Sequence, residues 1–520
     1  MAASDQFVET TTSAALEEKA KLQKHFNRFD IYFFLICTIV GVDTLGQVAQ
    51  NGAQGFLWLL VLAVVFFVPY ALLTAELGSA FTEEGGQYIW TRMSYGRLTA
   101  AINAIFYWFS NPIWIGATLA LLAVAAIQSY WWNFSSNSIP FYAVGLIYIW
   151  FSVYSAILSF GIGKWIPTIG AWCRIVVISI FAVTTIIYAF KHGLHFPATS
   201  EFSPTWGSFI ALTPLLFFNY VGFELPNAAG DEMENAQKDV PFTVLRACIT
   251  SILLYGLPIL AIISVVPPSE IKGKGVSAFL DAVSTVFNGV YGSAANVLLD
   301  IVVFGFLMAV VSSACTWLMG SDRSQAVASY DGAGPRFLGQ FSAKLGTPVR
   351  VNFLSGVFST IVFVIATRLS GSAADSFNVM IGVVLTFTTI SYILIFPTLI
   401  ILRKKHPDVH RPYKVPGGMA GVWICAGLTT FWALFATLVA LFPGFLDYSP
   451  HAIFSGHHVL NDGDLPTNVS RMKYEMISFI AIGVTMVAGV IFYWLGTGTR
   501  ESMVTQPIEG NEDLALAAGD

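Results

Sequence analysis

The chain has 520 residues, of which 55% are hydrophobic and only 11% charged, with a mean hydropathy of +0.68 and a formal net charge of −5. Soluble domains carry about 25% charged residues, so this composition excludes an ordinary soluble protein, and no nucleic-acid partner is expected. The small net charge decides little, because in a chain of this class the distribution of charge between the two sides matters more than the total.

The first 29 residues are polar and carry no cleavable signal pattern, so a retained N-terminal tail is expected over 1–29. Apolar runs of roughly 20 residues follow, each long enough to cross a hydrocarbon core about 30 Å thick. They predict about twelve helices, near 31–54, 56–80, 98–128, 139–160, 164–190, 206–229, 242–266, 291–320, 350–369, 375–402, 420–443 and 475–497. Ten-residue windows of alternating hydrophobicity are absent, which argues against a β-barrel. The expected fold is therefore an all-α polytopic membrane protein.

The first predicted span contains Gly41-Val42-Asp43-Thr44-Leu45-Gly46. Asp43 lies about ten to twelve residues in, or roughly 15–18 Å deep at 1.5 Å per residue. Two flanking glycines suggest unwound backbone there. Asp43 is a candidate to hold a substrate ammonium, a proton or a cation; the alternative is a carboxylate bonded to nearby backbone. Glu76, near the end of the second span, is read as structural. In the third span, Tyr107 and Trp108 are aromatic candidates for a central pocket. Arg174 sits ten residues beyond Lys164 in the fifth span, too deep to reach the surface easily. It either takes the place of a bound cation or pairs with a carboxylate.

The stretch 217–241, FFNYVGFELPNAAGDEMENAQKDVP, carries the most information. Glu224 lies inside an apolar segment, beside Gly222 and just before Pro226. A carboxylate at bilayer depth costs about 2.5–3.5 kcal/mol even on the lenient insertion scale, so such residues are functional candidates by default. Glycine and proline beside it loosen the helix where its backbone can bind something other than itself. Glu224 is therefore a candidate proton-responsive group, the alternative being an acceptor for free backbone N–H groups. Phe218 in the sixth span and Trp317 in the eighth are further candidates to close over a substrate.

All five cysteines fall in predicted spans and are read as packing residues. His451, His457 and His458 with Asp462 and Asp464 precede the last span and are read as a solvated loop rather than a metal site. Asn133-Phe134-Ser135 and Asn468-Val469-Ser470 are glycosylation sequons in loops expected to be external. Lys and Arg residues sort as 19 on the N-terminal side and 6 opposite, with Arg174 left inside a helix. The positive-inside rule then places both termini in the cytoplasm of a cell-membrane protein. The acidic residues 499–520 are expected to form a disordered tail. No nucleotide, dinucleotide or metalloprotease motif is present, so no cofactor, no metal and no enzyme activity is expected.

Four stretches share a pattern. The second span and its loop read Pro69-Tyr70-Ala71-Leu72-Leu73-Thr74-Ala75-Glu76-Leu77, then Glu84-Gly85-Gly86-Gln87-Tyr88-Ile89-Trp90. The sixth gives Phe218-Asn219-Tyr220-Val221-Gly222-Phe223-Glu224, then Glu234-Asn235-Ala236-Gln237-Lys238-Asp239-Val240-Pro241. After the eighth come Arg323, Tyr330-Asp331-Gly332-Ala333-Gly334-Pro335 and Gly346-Thr347-Pro348. After the tenth come Arg403-Lys404-Lys405-His406-Pro407-Asp408 and Arg411-Pro412-Tyr413-Lys414-Val415-Pro416-Gly417.

In this order and spacing they resemble the amino acid–polyamine–organocation (APC) superfamily from about residue 28 to 498, most closely its glutamate/GABA antiporter-type branch. The resemblance implies ten core helices in two inverted five-helix repeats plus two more, with helices 1 and 6 broken around the substrate, within a transport domain over 30–498. It also implies a substrate site at Gly41, Val42, Asp43 and Thr44, at Ser110 and Asn111, at the gating aromatic Phe218 with Asn219, Tyr220 and Gly222, and at Trp317. Glu224 and Arg174 match proton-coupling positions.

One departure stands out. The family's helix-1 motif offers free N–H groups to a substrate carboxylate, whereas an aspartate here would repel one and favours an amine. The implied function is a secondary active transporter, antiporter or proton symporter, for an amino acid or related amine. It would work as a monomer or homodimer in a lipid bilayer. The alternative is a non-transporting nutrient sensor on the same fold, against which the short tails weigh; a membrane enzyme is a distant third.

Overall fold

The computed structural model describes residues 8–158, 160–194, 197–203, 206–267, 278–369, 373–442 and 471–511. After a short strand β1 (Val8–Thr12) and helix α1 (Ser13–Lys19), the chain enters α2 (Arg28–Ile39). Asn27 starts α2 as a capping box: its side chain accepts from the Phe29 and Asp30 N–H groups, and Asp30 accepts from the Asn27 N–H. Such reciprocal caps satisfy donors that an apolar helix entrance cannot leave bare. Residues 40 and 41 are not helical, and α3 (Val42–Ala49) leaves at an angle of 41°.

The long helices follow: α4 (Gly52–Ala80), α5 (Gln87–Tyr95), α6 (Arg97–Tyr130), α7 (Ile139–Ile157) and α8 (Trp165–His192). Each of α4 and α6 contains a π-bulge, over Ala63–Phe67 and Ile115–Leu119. A proline accompanies each, Pro69 and Pro112. A proline lacks the N–H that the carbonyl four residues earlier needs and collides with it. For Pro69 that carbonyl lies inside the Ala63–Phe67 bulge, where the wider turn accommodates it.

Next come α9 (Trp206–Asn219), α10 (Ala236–Val265), α11 (Ala278–Tyr291), α12 (Ala295–Ala328), α13 (Val349–Leu369), α14 (Ala373–Ile395), α15 (Thr398–Lys405), α16 (Gly418–Leu441) and α17 (Arg471–Leu495). Between α9 and α10 the backbone turns at Gly222 (φ 119°) and winds a 3₁₀ segment over Leu225–Glu232. Helix α8 lies along α12, α10 along α4, and α6 is gripped by α14 and α17. The buried apolar side chains form one main cluster running through these helices.

Among the described residues, ten helices are long and apolar enough to cross a membrane, or eleven if the bent α2–α3 pair counts as one span. The sequence reading of twelve differs at 206–229, where α9 is only fourteen residues long. Gly222 and Pro226 account for its early stop, since one takes a positive φ and the other cannot continue a hydrogen-bond ladder.

The C-terminal tail also differs from expectation. Met503–Pro507 forms strand β2, antiparallel to β1, with Val8 opposite Pro507 and Thr12 opposite Met503. The threonine and valine residues on both segments suit a strand, but each lacked a partner in local sequence. Both tails therefore meet at one end of the helical bundle. Of the loop features read from the sequence, Asn133 is exposed, whereas the 451–464 histidine and aspartate group and Asn468 lie outside the described residues.

Candidate functional site

The break between α2 and α3 faces the break after α9, and a small cavity lies where they meet. Thr38, Ile39, Gly41, Asp43 and Thr44 supply one side of it, Phe218 and Asn219 another, and Trp114, Tyr255 and Trp317 close it. A second cavity adjoins, lined by Ser110, Asn111, Val384 and Thr388. Trp114, Phe218 and Trp317 border both. Trp114 stands edge-on to Phe218 at 5.7 Å and to Trp317 at 6.2 Å, so one aromatic trio partitions the two spaces. Trp317 is fixed by its indole N–H, which donates to the Thr38 carbonyl at 3.0 Å.

Polar groups at the first cavity are unusually bare. Asp43 is 5% exposed, and among the described residues its Oδ2 has no hydrogen-bond partner. The same holds for both polar atoms of Asn219, which is 1% exposed. Buried polar atoms are normally satisfied, and an orphan costs about 1–3 kcal/mol. A carboxylate oxygen and a carboxamide left open on one cavity form a donor-and-acceptor set suited to a small polar guest.

The backbone break itself is already occupied. The Gly41 N–H donates to the Tyr255 hydroxyl at 2.9 Å, and that hydroxyl donates to the Ile39 carbonyl at 2.7 Å. The Asp43 carboxylate lies against the N–H groups of its own residue and of Thr44. The anion position at the start of α3 is thus filled from within the chain.

Arg174 is fully buried and belongs to none of the described ion pairs. Its guanidinium instead donates to the Val40 carbonyl (2.8 Å), the Ala309 carbonyl (2.6 Å), the Cys37 carbonyl (3.3 Å) and Ser312 Oγ (2.6 Å), and also to Ser313. Of the two sequence readings, pairing with a carboxylate is the one the geometry does not show. A cation here neutralises the carbonyls that the end of α2 leaves free.

Glu224 does not line either cavity. It is 0% exposed, and three phenols converge on it: Tyr107 and Tyr392 donate to Oε1 at 2.6 Å each, and Tyr70 donates to Oε2. The Gly222 N–H in turn donates to Tyr70 at 3.1 Å, and the Glu224 carboxylate also lies against its own backbone N–H, so it accepts from phenols and backbone together. The Tyr107 ring lies 6.2 Å from Trp317 and is the nearest link between this carboxylate and the cavity wall.

Of the residues expected around a substrate, Gly41, Asp43, Thr44, Ser110, Asn111, Phe218, Asn219 and Trp317 line the two cavities. Val42, Tyr220 and Gly222 do not. The Tyr220 hydroxyl donates to the Leu59 carbonyl at 3.2 Å, away from the cavity. Gly222 serves as a close-approach point, where a Cβ would lie 2.5 Å from Thr38 and 3.2 Å from Trp317. Trp108 is also turned away, toward Asp322. Sequence reasoning missed Thr38, Trp114, Tyr255 and Thr388, which enter only through packing of distant helices.

Beyond the cavity, at the tail-bearing end, the charges are paired. Lys19 reaches Glu83 (3.4 Å), Asp231 (3.6 Å) and Glu509 (3.2 Å), while Arg323 holds Glu84 (3.1 Å) and Glu232 (2.6 Å). Arg92 joins Glu9 to Asp331 (2.9 Å), tying β1 to the end of α12. Burial opposes the Lys19 charge, but Glu83, Asp231 and Glu509 outweigh it and hold its pKa well above the usual value. Burial pushes the Glu83 and Glu84 carboxyls well up from 4.5, with Glu9 and Glu232 adding to it and Lys19 and Arg323 pulling back. Glu76 is structural, as expected: Arg403, Arg411 and the Val415 N–H all bind it.

Two inward breaks, a closed aromatic cavity and a sealed ionic end describe a membrane protein that encloses something small. The family model described as amino acid permease matches residues 26–494. The chain belongs to the amino acid permease family. It is thus a multi-pass membrane protein of the APC superfamily, and the family is one of transporters, not enzymes. The chain is 26% identical over 397 residues to a probable agmatine/putrescine antiporter of Lactococcus lactis, covering 76% of this chain and 83% of that protein. A glutamate/gamma-aminobutyrate antiporter of the same species is 23% identical and covers 93% of each. A branched-chain amino acid permease of Bacillus subtilis is 24% identical, covering 82% and 90%.

Proposed function

We propose that this amino acid transporter is a secondary active antiporter or proton symporter whose preferred cargo is an amine, moved by alternating access. The observation that carries the reading is the open Asp43 Oδ2 beside the unpartnered Asn219 amide on one buried cavity. A carboxylate buried without a cation is costly, and an ammonium from the cargo relieves it. The Gly41 N–H that would suit a cargo carboxylate is held by Tyr255, which disfavours a zwitterion held by its carboxylate and favours agmatine- or putrescine-like amines. That agrees with the name of one of the relatives, a probable agmatine/putrescine antiporter. The second cavity, lined by hydroxyl, amide and apolar groups without a charge, suits the chain of such a cargo.

The α2–α3 bend and the α9 stop fit two discontinuous helices of an inverted-repeat core, within a transport domain over residues 30–498. Paired tails imply an even number of crossings, and twelve follow if the bent pair and α9 each cross. Both termini are assigned to the cytoplasm of a cell membrane by the charge asymmetry of the loops. Arg174 stands where a coupling cation would otherwise hold the end of α2. Glu224 is the proton-coupling carboxylate, reporting cavity occupancy through Tyr107.

The test is counterflow in proteoliposomes loaded with unlabelled agmatine, putrescine, γ-aminobutyrate, glutamate or leucine. Uptake of labelled amine against an amine-loaded interior is expected, and Asp43→Asn lowers it about a hundredfold. If no compound exchanges or accumulates under any pH gradient, the transporter reading fails.

A further inference from the structure

A further carboxylate, besides Asp43 and Glu224, lies buried in the membrane-spanning bundle. Asp322 is in α12, five residues beyond Trp317 toward the tail-bearing end, or about 8 Å along the helix axis. It is 0% exposed. The Ser355 hydroxyl donates to its Oδ1 at 2.7 Å and the Trp108 indole N–H at 3.0 Å, and the Asn352 amide donates to Oδ2 at 2.7 Å. Trp108 shares the same N–H with Ser355 Oγ at 2.8 Å. Asp322 is in none of the described ion pairs. The cation next to it in sequence, Arg323, is committed to Glu84 and Glu232. From α6, α13 and its own helix, only neutral groups are bonded to it.

Two features point beyond a structural anchor. First, Asn352 faces Asp322 with its N–H side, while its carbonyl Oδ1 is buried and among the described residues has no partner. Rotating that amide by half a turn would place an acceptor opposite Oδ2, which a protonated carboxyl needs and an ionised one does not. The site is therefore built to satisfy Asp322 in either state. Second, Trp108 is the immediate neighbour of Tyr107, which donates to Glu224 at 2.6 Å. One turn of α6 thus grips both buried carboxylates.

We propose that Asp322 is a second protonation site of the transport cycle, read by Glu224 through the adjacent residues Trp108 and Tyr107. The proton comes from water entering the tail-bearing half when it opens. An O–H bond forms at Asp322 Oδ2, Asn352 turns to accept it, and the same O–H bond breaks when the proton returns to water. Loss of the charge slackens the Trp108 hydrogen bond, lets α6 shift and changes how Tyr107 meets Glu224. The proposal rests on the transporter reading of the preceding section.

The experiment combines an infrared pH titration of the purified full chain in lipid vesicles with the pH profile of amine counterflow. A protonated-carboxyl band that grows as pH falls, and that is missing in Asp322→Asn, is expected, together with loss of one titration step from the counterflow profile. Removing one donor to the anion by Ser355→Ala raises the midpoint of that band and of that step by about one pH unit. This second variant decides the matter where Asp322→Asn does not fold. An identical band and identical profile in Asp322→Asn, or an unmoved midpoint in Ser355→Ala, overturns the proposal. A wild-type protein that exchanges nothing overturns the transporter reading, and with it the place of Asp322 in a cycle.

Discussion

The cavity and the tail-bearing end use the same residue types to opposite effect. At the cavity, Asp43 and Asn219 keep polar atoms without partners. At the tail-bearing end, Lys19 alone meets three carboxylates, and Arg92 and Arg323 meet two each. An interior polar atom left open on a cavity is destabilising until a ligand arrives. The tail-bearing end, though Asp231 Oδ2 and Glu232 Oε1 also lack hydrogen bonds among the described residues, sets its carboxylates against cations already present. The difference separates a place that waits from a place that holds.

Substitutions test that contrast, the strongest first. Asp43→Asn removes the charge from the waiting side. Counterflow of cationic amines should fall about a hundredfold, the scale of a buried charge partner lost, while melting temperature holds or rises because a buried charge is gone. A fall in both would show that Asp43 is structural. Arg174→Met strips five donors from carbonyls and hydroxyls that have no water to turn to. A loss of about 3 kcal/mol in stability is expected, measured by thermal unfolding in detergent; no loss would break the view that Arg174 braces the α2 end.

The holding side carries a pH signature. The Glu83 and Glu84 pKa values are raised in the fold. Their contribution to stability is therefore complete below about 4.5 and is lost as pH rises through about 8. Wild-type melting temperature should fall across that window, and Glu84→Gln should flatten the fall. A profile equally steep in the variant would remove these carboxyls from the account. The smallest effect is expected from Tyr255→Phe, which takes the hydroxyl off the Gly41 N–H and leaves that N–H only its contact with the Ile39 carbonyl at 2.9 Å. Carboxylate-bearing cargo should gain affinity by a few-fold, about one neutral hydrogen bond, with amine affinity unchanged.

Much of this was legible in the chain, and what was not has a common cause. Asp43 could be found because it sits in a glycine-flanked run that is odd for a membrane helix, whereas Phe218, Asn219 and Trp317 stood out through their place in the family pattern. Thr38 and Tyr255 look like ordinary helix residues until α2 and α10 are set side by side. Asp322 escaped because the predicted eighth span stops at 320, two residues short of it. In the fold α12 runs on to Ala328 and buries it. The tail strands escaped for a stronger reason, since the partners are nearly the whole chain apart.

That last pairing sets an order of events during synthesis. Residues 8–12 leave the ribosome long before their strand partner at 503–507 is made. Throughout translation the N-terminal segment stays without its neighbour, and Glu9 cannot be locked between Arg92 and Gln506. The ribbon closes only once residue 507 has been made. A product truncated before the last described helix would leave those threonines open to proteases, so a closed ribbon is reached only after all the described helices have been synthesised.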